Sequence, residues 1–369
     1  MSERRQFLKE LAGAAYGIFF AGCGLAGSSA LQTQSSGTAK RREVSIGGRR
    51  VKTVDVHCHC QVPEVLELIQ DVPWSEQLRS LLDSKWGKGL RIANVAERLR
   101  TMDEQGIDVQ AVSINPFWYQ AERNLAEKIV ALQNDRLAQL CAAHPDRFVG
   151  LATVALQFPE LAAEQLEDGV KRLGLRGADI KGSVNGKELS DPQFHPFWAK
   201  AEELGCLIFI HPQGFPEGRS RLQGNGGLGN TIGNPMETTV ALTHLIEEGT
   251  LDRFPGLKIC GAHGGGFLPS NMGRTDRCQV VFPENCKPVK KRPSEYLKQL
   301  YFDTIVFTSE GLRHLVAEAG ASQVVIGTDY PYTWNPNPVD HVLGTSGLSD
   351  ADRRAILGEN AARLLRLQA

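Results

Sequence analysis

From Val51 to the C-terminus the chain repeats one pattern, a short apolar run followed by a longer segment whose apolar residues recur at helical spacing. The apolar runs read as strands over Val51–His57, Val109–Ile114, Phe148–Val154, Ala178–Lys181, Leu207–His211, Lys258–His263, Leu300–Thr304 and Val324–Asp329. Helix-like segments fit 94–105, 125–143, 159–173, 196–204, 236–248, 309–319 and 350–367. Runs such as Leu207-Ile208-Phe209-Ile210 lack polar alternation and suit strands buried on both faces. Eight strand–helix pairs in strict order predict an α/β fold, a single (β/α)8 TIM-like barrel rather than an open sheet. Two connections are long, 61–93 after the first strand and 214–235 after the fifth. Both leave strand C-terminal ends, the face on which barrel enzymes build their sites.

Composition narrows the function classes. The 369 residues carry 41 Lys+Arg against 42 Asp+Glu, a net charge of −1, which argues against a nucleic-acid footprint and a polybasic membrane role. Hydrophobic content of 41% with 22% charged residues excludes wholesale disorder. The 38 glycines follow no collagen-like period and read as tight turns between strands and helices. A chain this long buries a core without staples, so its eight cysteines need not be a disulfide framework, although Cys278 and Cys286 are close enough in sequence to pair.

The first thirty residues stand apart. Arg4-Arg5, then Gln6-Phe7-Leu8-Lys9 and a weakly apolar stretch from Leu11 to Leu25, resemble a twin-arginine export signal. That implies a periplasmic protein, exported folded. Two exits fit: cleavage after Ser28-Ser29-Ala30, or lipidation at Cys23 within Phe20-Ala21-Gly22-Cys23. Residues 31–50 read as a linker and N-terminal extension, and 51–369 as the barrel.

The chemistry sits at strand ends. The first strand closes Asp55-Val56-His57-Cys58-His59-Cys60. Strand alternation puts His57 and His59 on one face and Cys58 and Cys60 on the other, so the imidazoles can grip a metal while the thiols cannot join them. The fifth strand ends in His211, the sixth in His263 before Gly264-Gly265-Gly266, and the eighth in Asp329. One histidine after a buried strand is ordinary; four strands ending in His or Asp at the face where sites form is a convergent set. Imidazoles from His57, His59 and His211 with the Asp329 carboxylate suit a divalent cation and leave room for water or substrate.

This order of motifs resembles the amidohydrolase superfamily. Within it, the chain is similar to the branch (amidohydrolase-related family 2) that contains 2-amino-3-carboxymuconate-6-semialdehyde decarboxylase and related aromatic-acid decarboxylases. The resemblance rests on Leu251-Asp252-Arg253-Phe254-Pro255-Gly256-Leu257-Lys258-Ile259-Cys260, His263-Gly264-Gly265-Gly266, Gly273-Arg274, Asp146-Arg147-Phe148-Val149-Gly150-Leu151, Asn234-Pro235-Met236-Glu237-Thr238-Thr239 and Thr328-Asp329-Tyr330-Pro331. It implies that His57, His59, His211 and Asp329 hold one divalent ion, zinc or alternatively manganese, with no organic cofactor. His263 is then the acid/base residue beside a metal-activated water, a task suited to a group whose ordinary pKa lies near neutrality. Asp329 has two candidate roles, ligand and proton carrier.

The implied activity is non-oxidative decarboxylation of a small unsaturated or aromatic carboxylic acid. A hydrolase of lactones, esters or amides on the same barrel is the alternative, and a non-catalytic metal- or ligand-binding barrel is the reading from another class. Arg274 matches an arginine that binds substrate carboxylate across subunits, which implies a homodimer, and Arg91 lies near the place of a second such arginine. Lys181, at the end of the fourth strand, is a candidate second-metal bridge if carbamylated, and otherwise a substrate-binding or solvated lysine. The chain departs from the family at Cys278-Gln279-Val280-Val281-Phe282, which lacks a further arginine. It also lacks a tryptophan in the loop after strand five, where Gly224-Asn225-Gly226-Gly227-Leu228-Gly229 reads as a lid.

Overall fold

The computed structural model describes residues 41–286 and 289–368. The export-signal reading of residues 1–30, including Cys23, lies outside the described residues. Within the stretch read as linker and extension, Val44–Ile46 (β1) and Arg49–Val51 (β2) form an antiparallel hairpin. Its turn is Gly47-Gly48, with φ of 56° and 76°, the left-handed pair a two-residue hairpin turn requires. Val44, Ile46 and Val51 are buried, so this extension contributes to the core. Arg41 and Arg50 both pair with the carboxylate of Asp108.

Because the hairpin takes Val51, the first parallel strand starts later than the apolar pattern suggests and runs Val54–His59 (β3). It is followed by Val109–Ser113 (β4), Phe148–Gly150 (β5), Gly177–Ile180 (β6), Leu207–Ile210 (β7), Lys258–Gly261 (β8), Leu300–Asp303 (β9) and Val324–Val325 (β10). All pair in parallel, in one sheet ordered β3-β4-β5 and another ordered β10-β9-β8-β7-β6. Single bridges join the sheet edges. Ala152 N–H donates to Gly177 C=O at 2.7 Å, and Val56 N–H donates to Ile326 C=O at 3.0 Å. The chain after β5 and β10 therefore stays extended over part of the expected 148–154 and 324–329, but bonds through bridges rather than ladders.

Between strands lie Val95–Gln105 (α1), Arg123–Ala143 (α2), Pro159–Lys171 (α3), His195–Leu204 (α4), Asn234–Glu247 (α5), Leu268–Val281 (α6) and Ser309–Ala319 (α7). The long connection after β3 carries short helices at Val65–Leu68, Ser75–Asp83 and Gly87–Leu90. The C-terminal helix expected over 350–367 is interrupted: Asp350–Arg354 and Asn360–Leu364 (α8) flank a wider π-turn at Ala355–Glu359. Within that turn the backbone packs closely at Gly358, where a Cβ would stand 1.8 Å from the Lys52 carbonyl oxygen. No helix among the described residues is long and apolar enough to cross a membrane.

Apolar burial falls into two layers. One cluster includes Val54, Val56, Ala111, Leu207, Phe209 and Val325, joined by Ala361 and Leu364 from α8 and by Leu365 just after it. The other lies between strands and helices. Burial on both faces explains why the strands read as continuous apolar runs. Cys58 and Cys60 belong to the strand–helix layer, on the side away from the histidines. Cys278 and Cys286 are free thiols with sulfurs 3.9 Å apart.

Gly358→Ala is expected to destabilise the fold by about 3 kcal/mol or more, because a backbone oxygen blocks the added methyl. Urea unfolding followed by circular dichroism checks this. A shift below about 1 kcal/mol would mean that α8 can slide off Lys52.

Candidate metal centre and cleft

The C-terminal ends of the strands converge on one cluster. β3 brings His57 and His59, the residue after β7 is His211, and the chain beyond β10 brings Asp329. One ligating atom from each of these four residues lies within 4.8 Å of the others, and all four residues are buried. His57 Nε2 and His59 Nε2 are 3.0 Å apart, and His59 Nε2 is 3.0 Å from Asp329 Oδ1. The second carboxylate oxygen of Asp329 is 3.8 Å from His263 Nε2.

A carboxylate that the motif reading did not single out holds this arrangement. Asp303, the last residue of β9, is fully buried. Its Oδ2 lies 2.6 Å from His57 Nδ1 and accepts from the His263 N–H at 2.8 Å. Its Oδ1 accepts from the Gly264 and Ile305 N–H groups at 3.0 and 2.9 Å. A proton held on His57 Nδ1 by Asp303 leaves the Nε2 lone pair facing the cluster, the orientation a metal-ligating histidine needs. The same carboxylate anchors the turn that carries His263. The signal was in the sequence, since Asp303 ends a strand just as His211 and His263 follow theirs.

Asp55 performs the corresponding task one layer deeper. It accepts from the His57 N–H at 3.0 Å, the Thr328 hydroxyl at 2.7 Å and the Gln110 amide at 2.9 Å. Arg98, buried in α1, donates to the His59 carbonyl and to Gln110, and its guanidinium stacks on Tyr330 at 4.3 Å. The backbone is bent to fit: His263 and Asp329 have φ of 55° and 58°, a region L-residues rarely occupy outside functional sites. Gly327 allows the approach, since a Cβ there would meet Asp303 Cβ and His57 Cβ at 3.0 Å.

The electrostatics suit a cation. Burial disfavours the charged form of His57, yet Asp329 and Asp303 outweigh it and raise its pKa to about 10. Burial holds His59 down, to about 4, and keeps His211 well below the ordinary imidazole value. Burial works against an ionised Asp329, but the surrounding histidines, His57 first, hold its carboxyl well below the usual range. Thus two imidazoles are neutral and the carboxylate is ionised at neutral pH. Nδ1 atoms of His59, His211 and His263 are buried without a hydrogen-bond partner among the described residues. Three imidazoles and one carboxylate form a borderline donor set, which fits one divalent ion.

The cluster opens into a cleft of about 800 Å³. Its walls include Gln61, Lys85 and Trp86 from the connection after β3, Asn115 and Phe117 after β4, and Tyr332 and Trp334 after Asp329. The glycine-rich segment after β7 reaches the cleft at Gly229 and Asn230. The other candidates lie elsewhere. Arg91 is exposed and its side chain does not line the cleft; from the same connection Lys85 does, its ammonium 4.6 Å from the Trp86 ring. Arg274 is exposed on α6, outside the cleft walls. The Lys181 ammonium lies 5.4 Å from the Tyr119 ring, and burial, countered by Glu237, lowers its pKa to about 8.

The amidohydrolase family model matches residues 54–367, the span that carries every strand of both parallel sheets. The chain belongs to this family. It is 31% identical over 319 residues to the 2-amino-3-carboxymuconate-6-semialdehyde decarboxylase of Dictyostelium discoideum, covering 85% of this chain and 84% of that protein. It is 33% identical over 329 residues to the gamma-resorcylate decarboxylase of Rhodococcus jostii, covering 84% and 97%. A dihydroxybenzoic acid decarboxylase from a Polaromonas species, solved with manganese and 2-nitroresorcinol, superposes with a TM-score of 0.71 at 30% identity, covering 86% of this chain and 98% of that one.

Protonation makes a testable feature of the centre. His57 has a folded pKa above its ordinary value, so in the metal-free protein its imidazolium adds stability below pH 6.5, and this is lost as pH rises through about 10. Metal uptake at pH 7–8 is therefore expected to release about one proton, read by calorimetry in buffers of different ionisation enthalpy. Asp303→Asn should reduce that release, with Asp329 still raising the His57 pKa, and weaken metal binding by about 10–100-fold. A metal uptake that releases no proton would refute the charged His57.

Proposed function

We propose that this protein is a metal-dependent non-oxidative decarboxylase of hydroxylated aromatic or related unsaturated carboxylic acids. The observation that carries the reading is the joining of the His57–His59–His211–Asp329 cluster to His263 at the floor of an aromatic-walled cleft. The decarboxylase relatives support it. We also infer that the two parallel sheets close as one (β/α)8 barrel. The hydrogen bonds from Ala152 to Gly177 and from Val56 to Ile326, at both seams, support that closure.

A divalent ion at the cluster, zinc or manganese, would neutralise the adjacent carboxylate and phenolate oxygens of a substrate. His57, His59, His211 and Asp329 would hold it, with Asp303 fixing His57. The residues then have separable tasks. His263 and Asp329, 3.8 Å apart, form a short proton path at the cleft floor. A proton delivered from this pair forms a C–H bond at the ring carbon that bears the carboxylate. The C–C bond then breaks, its electron pair returns to the ring, and carbon dioxide leaves. Trp86, Phe117 and Tyr332 supply apolar walls for a planar ring, and Lys85 supplies a cation for a second anionic group. Excluding water from this floor strengthens each of these contacts.

The direct test monitors carbon dioxide and acid release together, using metal-loaded protein against hydroxybenzoates, muconate-type acids, lactones and amides. Carbon dioxide from a hydroxybenzoate is expected. His263→Ala should lower kcat by about 10²–10⁴-fold with metal content unchanged. Lactone or amide opening with no carbon dioxide from any acid would overturn the reading in favour of a hydrolase.

The same reading includes a homodimer. Arg274 is exposed on α6, and Val280, Val281 and Phe282 at the end of that helix are exposed apolar residues, 67%, 50% and 51% accessible. Such a patch suits a second copy of the chain. Light scattering on a Val281→Asp/Phe282→Asp variant checks it. A dimeric wild type and monomeric variant are expected, and a monomeric wild type would remove the cross-subunit role of Arg274.

A further inference from the structure

The cleft has a second arm. A cavity of about 650 Å³ shares His263, Asp329, Asn230, Asn234 and Trp334 with the first, so the two arms meet over the candidate metal centre. Their chemistry differs. The first arm carries Lys85 and the amides of Gln61, Gln77, Asn115 and Gln213. The second is walled by Pro235, Phe267, Ile305, Val306 and Phe307, with no lysine or arginine among its described lining residues.

Two aromatic rings flank the second arm, Trp334 where the arms meet and Phe307 within the second arm alone. Phe307 and Trp334 are 52% and 48% exposed, with ring centroids 6.2 Å apart. Phe307 has φ of 63°, a conformation costly for a bulky aromatic residue. Strain of this kind persists where the surroundings impose it and clusters at ligand clamps. Each exposed ring also keeps apolar surface in water, at a cost that a ligand can remove.

We propose that the second arm is a specificity subsite for an apolar substituent, and that the substrate is a hydroxyaryl acid carrying an alkyl or aryl side chain gripped by Phe307 and Trp334. This rests on the decarboxylase reading for the reacting end of the molecule. Size supports it: each arm alone lies in the range of about 300–1,000 Å³ that accommodates a drug-sized ligand, so the pair exceeds what a bare one-ring acid fills. Geometry supports it too. His263 and Asp329 line both arms, so a ring seated over them would direct one edge toward Lys85 and the other toward Phe307.

The test uses metal-loaded full-length protein and 2,4-dihydroxybenzoates bearing methyl, propyl or pentyl at carbon 6. The matching 5-alkylresorcinols serve as non-reacting binding probes. In the wild type, KM for the acids and Kd for the resorcinols are expected to fall about two- to fourfold per added CH2, the upper value corresponding to full burial. Phe307→Gly, which removes the ring while relieving its backbone, and Trp334→Ala should each flatten that dependence. Chain-length-independent Kd in the wild type, or an unchanged dependence in both variants, would overturn the subsite. So would a change of oligomeric state in the variants, which would assign the two rings to a second copy of the chain. The two readings fail separately. Absence of carbon dioxide with a retained chain-length dependence of resorcinol binding removes only the decarboxylase. Carbon dioxide from every acid with no chain-length dependence removes only the subsite.

Discussion

The Asp303 carboxylate is the contact on which the site depends. It is fully buried, and burial alone would favour the neutral acid, yet His57 leads the interactions that hold its pKa below the ordinary carboxylate value. Four donors from three parts of the chain meet its two oxygens: the His57 ring, the His263 and Gly264 backbone, and the Ile305 backbone. A buried carboxylate is tolerable only when paired and hydrogen-bonded in this way. One group therefore sets the tautomer of a candidate metal ligand and the position of the candidate acid/base residue. It ties β3, β8 and β9 together where the chemistry would take place.

The surrounding structure carries costs that make sense only as part of a site. Two residues at the cleft floor, His263 and Asp329, adopt left-handed backbone conformations. Three imidazoles crowd one another with buried nitrogens left unpartnered. Asp55, Gln110, Thr328 and Arg98 form a buried polar network beneath them, directed at the backbone of the two strands that deliver His57, His59 and Asp329. Such networks are stabilising when every member is satisfied, and they hold neighbouring groups in one arrangement. Here that arrangement is three imidazoles and a carboxylate facing one another, the donor set that suits a divalent cation once His57 has lost its proton.

Much of this was legible from residue order. Strand parity separated His57 and His59 from Cys58 and Cys60, and the structure buries the thiols in the strand–helix layer. His211, His263 and Asp329 were findable because each follows a run too apolar to be anything but a buried strand. Boundaries were less legible. Val51 looked like the start of β3, but Gly47-Gly48 turns it into the end of a hairpin. Asp303 ends its strand in the same way, but with no further motif around it the strand-end position was its single signal. Arg91 and Arg274 came from family resemblance rather than from any local pattern, and neither side chain lines the cleft of this chain. Lys85, Trp86, Phe307 and Trp334 sit in loops, where no periodicity indicates which way a side chain faces.

The sequence by itself determined the parallel α/β class, the strand ends that carry the candidate ligands, and the placement of His57 and His59 on one face. These follow from periods of 2 and 3.6 residues and from burial, properties that act over a few neighbouring residues. Only the tertiary structure decided that Asp303 reaches His57 across 246 positions of sequence, that the Lys181 ammonium lies by the Tyr119 ring, and that the cleft divides into one arm carrying Lys85 and several amides and another without lysine or arginine among its described lining residues. Those outcomes depend on how separate connections meet over the strand ends. That meeting is set by packing across the whole fold, and no local spacing encodes it.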